Sequence, residues 1–335
     1  MKLLVTGGSG FIGSNFIHMM LHRYPHYEII NLDLLTYAGN EATNECVRNN
    51  PRYTFVRGDI CNPTIVDELV SKVDAIVHFA AESHVDNSIK NSLSFVMTNV
   101  MGTHTLLEAA RRHGNKRFHH ISTDEVYGHL HHDEDPFHEH TPHRPRSPYS
   151  ASKASSDHLV MSYFHTHGLP VTISNCSNNY GRFQFPEKLI PLFVTNLLEG
   201  KKVPLYGDGL NVRDWIHVDD HNNAVDKILH HGQIGHTYCV GASSEKTNKE
   251  ITYKILELMN LGEDRIEFVE DRKGHDRRYA INSGKIQSEL LWTPQISFDE
   301  GITQTVEWYI ANAQWWKNIK SGEYKKSNDT YATGV

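Results

Sequence analysis

An α/β fold, a doubly wound parallel sheet followed by a smaller α/β lobe, is predicted by three observations. Short apolar runs of strand length alternate with amphipathic stretches through the first half of the 335-residue chain. The first run feeds straight into a glycine-punctuated turn, Gly7-Gly8-Ser9-Gly10-Phe11-Ile12-Gly13. Past about Pro186 the pattern loosens into mixed short strands and helices. Alternating strands and helices favour a parallel sheet, because each crossover helix returns the chain to the same end of the sheet.

The first strand is read over Lys2 to Thr6 and the first helix over Phe11 to Arg23. Glycines at Gly7, Gly10 and Gly13 let the turn tighten, approach a pyrophosphate and pack the helix on the strand, and the N-H groups of the helix start attract the anion. A second strand, Glu28 to Asp33, ends on an acid placed to accept hydrogen bonds from an adenosine ribose. A carboxylate there repels a 2'-phosphate, so NAD is expected over NADP. Strands follow at Tyr53 to Arg57, Ala75 to Ala80, Arg117 to Ser122 and Val171 to Ser177, with helical stretches at Pro63 to Ser71, Phe95 to His113 and Ser150 to His167. This is a Rossmann-type arrangement, in which ligands sit beyond the carboxyl ends of the strands. Asp59, after the third strand, is placed for the adenine end of the dinucleotide. Small Ala80 and Ala81 let a flat cofactor lie against the fourth, and Ser83 follows within reach of a substrate.

Later segments read as helices at Lys188 to Glu199, His221 to His230, Lys249 to Met259 and Phe298 to Trp316, with strands at Thr237 to Val240 and Ile266 to Val269. The expected division is a dinucleotide domain over 1–185, to which segments near 212–240 return, a substrate lobe over 186–320 and a polar, flexible tail over 321–335. Net charge is -7 with no basic run, which argues against nucleic acid or a basic membrane-binding surface. No apolar stretch is long enough to span a bilayer, and an immediate first strand leaves no room for a cleavable signal. Cys46, Cys61, Cys176 and Cys239 are scattered, as in a reduced compartment, so the cytoplasm is expected.

Two stretches carry proton-transfer chemistry. The fifth strand ends in Ser122-Thr123-Asp124-Glu125, whose adjacent carboxyl groups serve one site only if the backbone turns there. Such a pair divides acid and base roles because repulsion and burial push the two pKa values apart; the alternative is a helix cap. Tyr149 and Lys153, four apart at a helix start, share a face, and the ammonium is expected to lower the tyrosine pKa. The histidines His129, His131, His132, His138, His140 and His143 lack regular ligand spacing and are read as a solvated loop near the entrance, with no metal expected.

Gly7 to Gly13, Asp33 and Tyr149 with Lys153 resemble the extended short-chain dehydrogenase/reductase superfamily over most of the chain. Within it, Thr123-Asp124-Glu125, Ala80 to Asp86, Gly207 to Trp215 and His275-Asp276-Arg277-Arg278-Tyr279 resemble the dTDP-glucose 4,6-dehydratase family. The resemblance implies an NAD-dependent hydro-lyase acting on dTDP-glucose, with Thr123, Asp124, Glu125, Tyr149 and Lys153 catalytic. It implies NAD held by Gly7, Gly10, Phe11, Ile12, Gly13, Asp33, Leu34, Thr36, Asp59, Ile60, Ala80, Ala81, Ser83, Thr98, Tyr149, Lys153 and Asn179. Ser83, His84, Thr123, Asn178, Lys188, Leu189, Pro204, Tyr206, Arg213, Asn248, Arg277 and Tyr279 are implied to hold the substrate. It further implies a homodimer in which Phe95 to His113 and Ser150 to His167 build a four-helix bundle. The competing readings are an epimerase or decarboxylase of the same fold, and a non-catalytic NAD-binding regulator.

Overall fold

Leu3 and Val5 point to one face of the first strand and Leu4 to the other, and all three are fully buried, so apolar layers cover this strand on both sides. The computed structural model describes residues 1–271, 276–326 and 328. His275 of the resembling motif, and 327 and 329–335 of the expected tail, lie outside the described residues. The chain runs β1 (Lys2–Thr6), α1 (Phe11–Arg23), β2 (Glu28–Asp33), β3 (Tyr53–Arg57), α2 (Pro63–Ser71), β4 (Ala75–His78), α3 (Val85–Lys90), α4 (Ser92–Phe95), α5 (Thr103–Arg112), β5 (Arg117–Thr123), α6 (Pro148–His167) and β6 (Val171–Cys176). It continues with β7 (Asn178–Tyr180), α7 (Leu189–Leu198), β8 (Val203–Tyr206), β9 (Val212–His217), α8 (Val218–His231), β10 (His236–Val240), β11 (Glu245–Thr247), α9 (Asn248–Leu258), β12 (Ile266–Val269), α10 (Gly284–Leu290), α11 (Phe298–Ala311) and α12 (Ala313–Ser321).

Seven strands form the central sheet in the order β10-β6-β5-β4-β1-β2-β3, and every pairing in it is parallel. One face buries Leu4, Ile76, Phe118 and Ile173 under α2, α5 and α6. The other buries Leu3, Val5 and Val77 with Phe16 and Ile17 of α1 and Val225 of α8. The order reverses between β1 and β4, and that reversal opens a crevice beyond their carboxyl ends. The late strand β10 pairs with β6, and α8 packs on α1, so both elements join the first domain. A second core, including Phe193, Val194, Ile251, Ile255, Ile302, Val306 and Tyr309, gathers α7, α9 and α11.

Four local readings are corrected. The stretch read as one helix from Phe95 to His113 contains a wider π turn at Val96–Gly102 before α5. The Phe298 to Trp316 helix stops at Ala311 and restarts at Ala313. Asn312, at φ -111 and ψ 42, leaves helical geometry there. The short strands β7, β8, β9 and β11 escape the sequence reading, since pieces of three to six residues leave little periodicity. Finally, the described end of the expected flexible tail is anchored: Tyr324 is 5% exposed and Asn328 3%. The Tyr324 hydroxyl donates to the Tyr37 carbonyl at 2.6 Å, and the Asn328 amide donates to the Gly39 carbonyl at 2.9 Å. Polar composition suggested a solvated chain, but these polar groups satisfy main-chain partners of the 37–41 loop instead.

Candidate active site

The glycine turn is pressed against the end of β4. Gly7 has φ +73, and a Cβ there would lie 2.6 Å from the Ala80 nitrogen; a Cβ on Gly13 would lie 2.4 Å from the Gly7 carbonyl oxygen. Only glycine permits both approaches. No side chain caps the start of α1, where Gly10 is the N-cap. That combination, a bare helix N-terminus behind a tight glycine turn, fits a dinucleotide pyrophosphate. Asp33 is 9% exposed at the end of β2. Its carboxylate accepts the N-H groups of Ser9 at 3.0 Å and Leu35 at 2.8 Å, so it ties the turn as well as facing the cleft.

Behind the turn, Glu41 is buried in a polar knot. It accepts the hydroxyls of Ser9 at 2.6 Å and Tyr53 at 2.7 Å and the Asn44 amide at 3.2 Å. Burial pushes its carboxyl up, opposed by those hydrogen bonds.

At the end of β5 the backbone makes the turn that the paired carboxylates require. Asp124–Tyr127 form a single 3-10 turn, with the Thr123 hydroxyl capping it by accepting the Glu125 N-H at 3.2 Å. The cap and the site are therefore one structure. Asp124 is 2% exposed. Burial first, then Glu125 and Asp214, push its pKa well above the usual carboxylate range, and Arg213 only partly offsets them.

A capping box between Ser147 and Ser150, with Pro148 in the first turn, starts α6 and sets Tyr149 at its second position. Lys153 follows on the same face, 4% exposed, with its ammonium donating to the Ile121 carbonyl at 2.7 Å. Burial brings Lys153 down to about 8. The expected lowering of Tyr149 is not found. Loss of water around its hydroxyl, then Glu125, raises its pKa, and a hydrogen bond with Thr123 is the opposing influence. Desolvation and a neighbouring carboxylate outweigh a lysine whose charge is already shared with a carbonyl.

One cleft is lined by Gly7, Gly10, Phe11, Ile12, Gly13, Asp33, Leu34, Thr36, Asp59, Ile60, Ala80, Ala81, Ser83 and Thr98, and it continues past Thr123, Asp124, Glu125, Tyr149, Lys153 and Asn179. Asn178 and Lys188 line it too. The other expected substrate residues stand outside its lining. His84 caps α3, 3.8 Å from the Glu187 carboxylate, and Leu189 opens α7. Pro204 and Tyr206 lie on β8, while the buried Asn248 opens α9.

Arg213 on β9 stacks over the Tyr279 ring at 4.4 Å and donates to the carbonyls of Val212 and Asp276. Both Tyr279 and Arg213 feel the Glu125 charge. Arg277 is engaged by both oxygens of Asp208, at 2.9 and 3.1 Å. The two arginines expected to hold a diphosphate therefore already have partners within the chain.

The sequence reading missed cleft residues Tyr37, Glu82, Cys176, Gln184, Phe185 and Glu187. Cys176 has its thiol pushed up to about 12, first by burial and then by Asp124. Tyr37 and Glu82 are held toward their neutral forms, first by burial and then by Glu187. Loop residues 184–187 carry no motif, and only folding brings them to the sheet edge.

The histidine stretch keeps His131, His132, His138 and His140 exposed, as read, but it is also docked: Leu130 and Phe137 are buried with Tyr279 and Ile281, and Leu130 N-H donates to the Arg278 carbonyl at 3.0 Å. Among the described residues no three His, Cys, Asp or Glu side chains gather as metal ligands.

A glycine-turn dinucleotide cradle joined to a Thr-Asp-Glu turn and a Tyr/Lys pair defines the class: a sugar-nucleotide-modifying enzyme of the extended short-chain dehydrogenase/reductase type. The model of the GDP-mannose 4,6 dehydratase family matches residues 4–305. The chain belongs to the dTDP-glucose 4,6-dehydratases within that family. The enzyme of that name from Streptomyces antibioticus is 53% identical over 325 residues, 96% of this chain and 96% of its own. The Bacillus anthracis dTDP-glucose 4,6-dehydratase, solved in complex with NAD, superposes with TM-score 0.90 at 49% identity, over 95% of this chain and 99% of that one. A UDP-glucose 4-epimerase from Thermotoga maritima superposes at TM-score 0.87 with 27% identity, over 93% of this chain and 100% of that one. The fold is therefore shared across chemistries, and the site must distinguish them.

Proposed function

We propose that this chain converts dTDP-glucose to dTDP-4-dehydro-6-deoxy-glucose and water, with NAD restored in each turnover. The observation that carries this reading is the Asp124-Glu125 pair, folded by one 3-10 turn to the side of the cleft that holds Tyr149, with Asp124 buried and its carboxyl pushed well above the usual range. An epimerase needs no such acid and base.

When bound, NAD supplies the hydride acceptor for C4 and the hydride donor for C6. The Gly7–Gly13 turn and the start of α1 hold its pyrophosphate, Asp33 its adenosine ribose, and Asp59 and Ile60 the adenine end. Tyr149 takes the proton of the hexose 4-hydroxyl, with the Lys153 charge next to it on α6 favouring the phenolate. Thr123 bonds the C4 oxygen. Once C4 is a ketone the C5 hydrogen is acidic, and Glu125 removes it. Asp124, whose charge burial and Glu125 disfavour, donates its own proton to the departing 6-hydroxyl, and Glu125 returns its proton to C5 as C6 receives hydride. Ser83 and His84 face the sugar. Asn178, Lys188, Leu189, Pro204, Tyr206, Arg213, Asn248, Arg277 and Tyr279 surround the nucleotide and its diphosphate, which requires Arg213 and Arg277 to exchange their present partners for phosphate oxygens.

A second copy of the chain covers an apolar strip. Ile89 is 64% exposed, Leu93 67%, Val96 46%, Met97 45% and Met101 44%, all on α3, α4 and the π turn. A contiguous strip of this kind marks an interface, and a two-fold axis pairing these elements and α6 with their copies gives the homodimer. Among the described residues no helix is long and apolar enough to cross a membrane. With all four cysteines free, the cytoplasm is the proposed location.

The test is turnover of dTDP-glucose deuterated at C4. Deuterium recovered at C6 of a 6-deoxy-4-keto sugar supports the reading; a C4 epimer, or no turnover by NAD-loaded protein, overturns it.

A further inference from the structure

Beneath the reacting residues lies an acid that the proposed chemistry does not use. Asp157 is 3% exposed, one helical turn past Lys153 on α6. One carboxylate oxygen accepts the Ser122 hydroxyl at 2.9 Å and the Asn175 amide at 3.1 Å. The other is buried without a hydrogen-bond donor and lies 3.3 Å from His120 Nε2. That same nitrogen is 3.5 Å from the Lys153 ammonium. The imidazole thus stands between a cation and an anion, and burial keeps it neutral.

We propose that Asp157 is a positioning residue: its carboxylate, acting by charge across the His120 imidazole, keeps the Lys153 ammonium charged and seated on the Ile121 carbonyl. A buried ammonium with only a carbonyl and a neutral ring for company loses its proton readily. A carboxylate fixed in place by Ser122 and Asn175 opposes that loss without moving during the reaction. The groups facing this pair are His78 of β4, His120 and Ser122 of β5, Asn175 and Cys176 of β6, Ser156 of α6, Tyr127 of the 3-10 turn and His143 of the docked loop. The Asp157 charge raises Lys153 toward its protonated form, against burial.

The inference rests on Lys153 acting beside Tyr149, and the experiment separates the two. Single-turnover formation of reduced NAD from dTDP-glucose is followed by absorbance from about pH 6 to pH 10, bracketing the Lys153 value. In Asp157→Asn the alkaline limb, where Lys153 loses its proton, moves to lower pH by about one unit or more. Asp157→Asn and wild type therefore differ by roughly tenfold on that limb and little near pH 6. A uniform loss at every pH, as a merely structural role gives, overturns the proposal. Asp157→Glu keeps the charge and retains the wild-type limb; a limb that moves with the charge kept also overturns it. Lys153→Met identifies the other failure: if this variant forms reduced NAD at the wild-type rate, the role of Lys153 is wrong, whatever Asp157 does.

Discussion

Glu125 donates its N-H to the Thr123 hydroxyl at 3.2 Å, and that single bond begins the turn that gives two consecutive carboxylates one destination. Losing such a cap costs about 1 kcal/mol. Thr123→Val is expected to lose about that much stability and to turn over slowly, whereas Thr123→Ser keeps both. Denaturant melts and steady-state rates check this, and a Val variant as active and stable as the Ser variant contradicts it.

The proposed mechanism has Tyr149 and Glu125 act at different steps, so their variants should stop at different places. General acid-base groups contribute roughly 100- to 10,000-fold each. Tyr149→Phe is expected to form no reduced cofactor on mixing with substrate. Glu125→Gln forms it but releases product at least about 100-fold more slowly. Rapid-mixing absorbance distinguishes them; identical traces in the two variants refute the division of labour.

The Gly13 contact makes the cradle sensitive to one methyl group. A Cβ there meets the Gly7 carbonyl oxygen at 2.4 Å, a backbone atom that cannot swing aside. Gly13→Ala is expected to destabilise by about 1–3 kcal/mol and to bind NAD more weakly. Calorimetric melting and titration with NAD measure both, and an unchanged melting temperature would show that the turn is looser than the contact implies.

The clamp between α1 and α8 gives a pH signature. Asp226 accepts Arg23 at 2.6 Å, and His230 lies 2.9 Å from it. Burial opposes the Asp226 charge, but hydrogen bonds from His230 and Arg23 hold its carboxyl below the usual value. His230 is raised, chiefly by its hydrogen bond to Asp226. The His230 contribution is present below its unfolded value of about 6.5 and is lost as pH rises through the raised folded value. The Asp226 contribution is present above about 3.9 and is lost as pH falls through the depressed one. Asp226→Asn is expected to cost about 1–2 kcal/mol, Arg23 being partly screened by water. That cost is largest between about pH 4 and 6.5. A cost independent of pH rules out this account.

Leu93, 67% exposed, lies in the strip assigned to the second copy. In the proposed homodimer two charges per copy would meet at the two-fold axis, so Leu93→Asp with Met97→Asp is expected to sediment as a monomer in analytical ultracentrifugation. Sedimentation of the double variant at the wild-type rate removes this surface from the interface.

The sequence by itself determined the central sheet and named the proposed catalytic residues, which line one cleft. Apolar runs and the glycine turn report locally on backbone geometry, so β1, α1, β2, β3, α2 and the Tyr149/Lys153 helix can be read with no knowledge of the rest. The tertiary structure decided three things that no local pattern encodes. It set protonation: Tyr149 is raised rather than lowered, because desolvation and Glu125 act through space. It anchored Tyr324 and Asn328 on the loop after β2, nearly three hundred positions away in the chain, because main-chain carbonyls there offered partners to polar side chains. And it placed His120 between Lys153 and Asp157, since only the packing of α6 on β5 brings a strand residue between two charges of a helix.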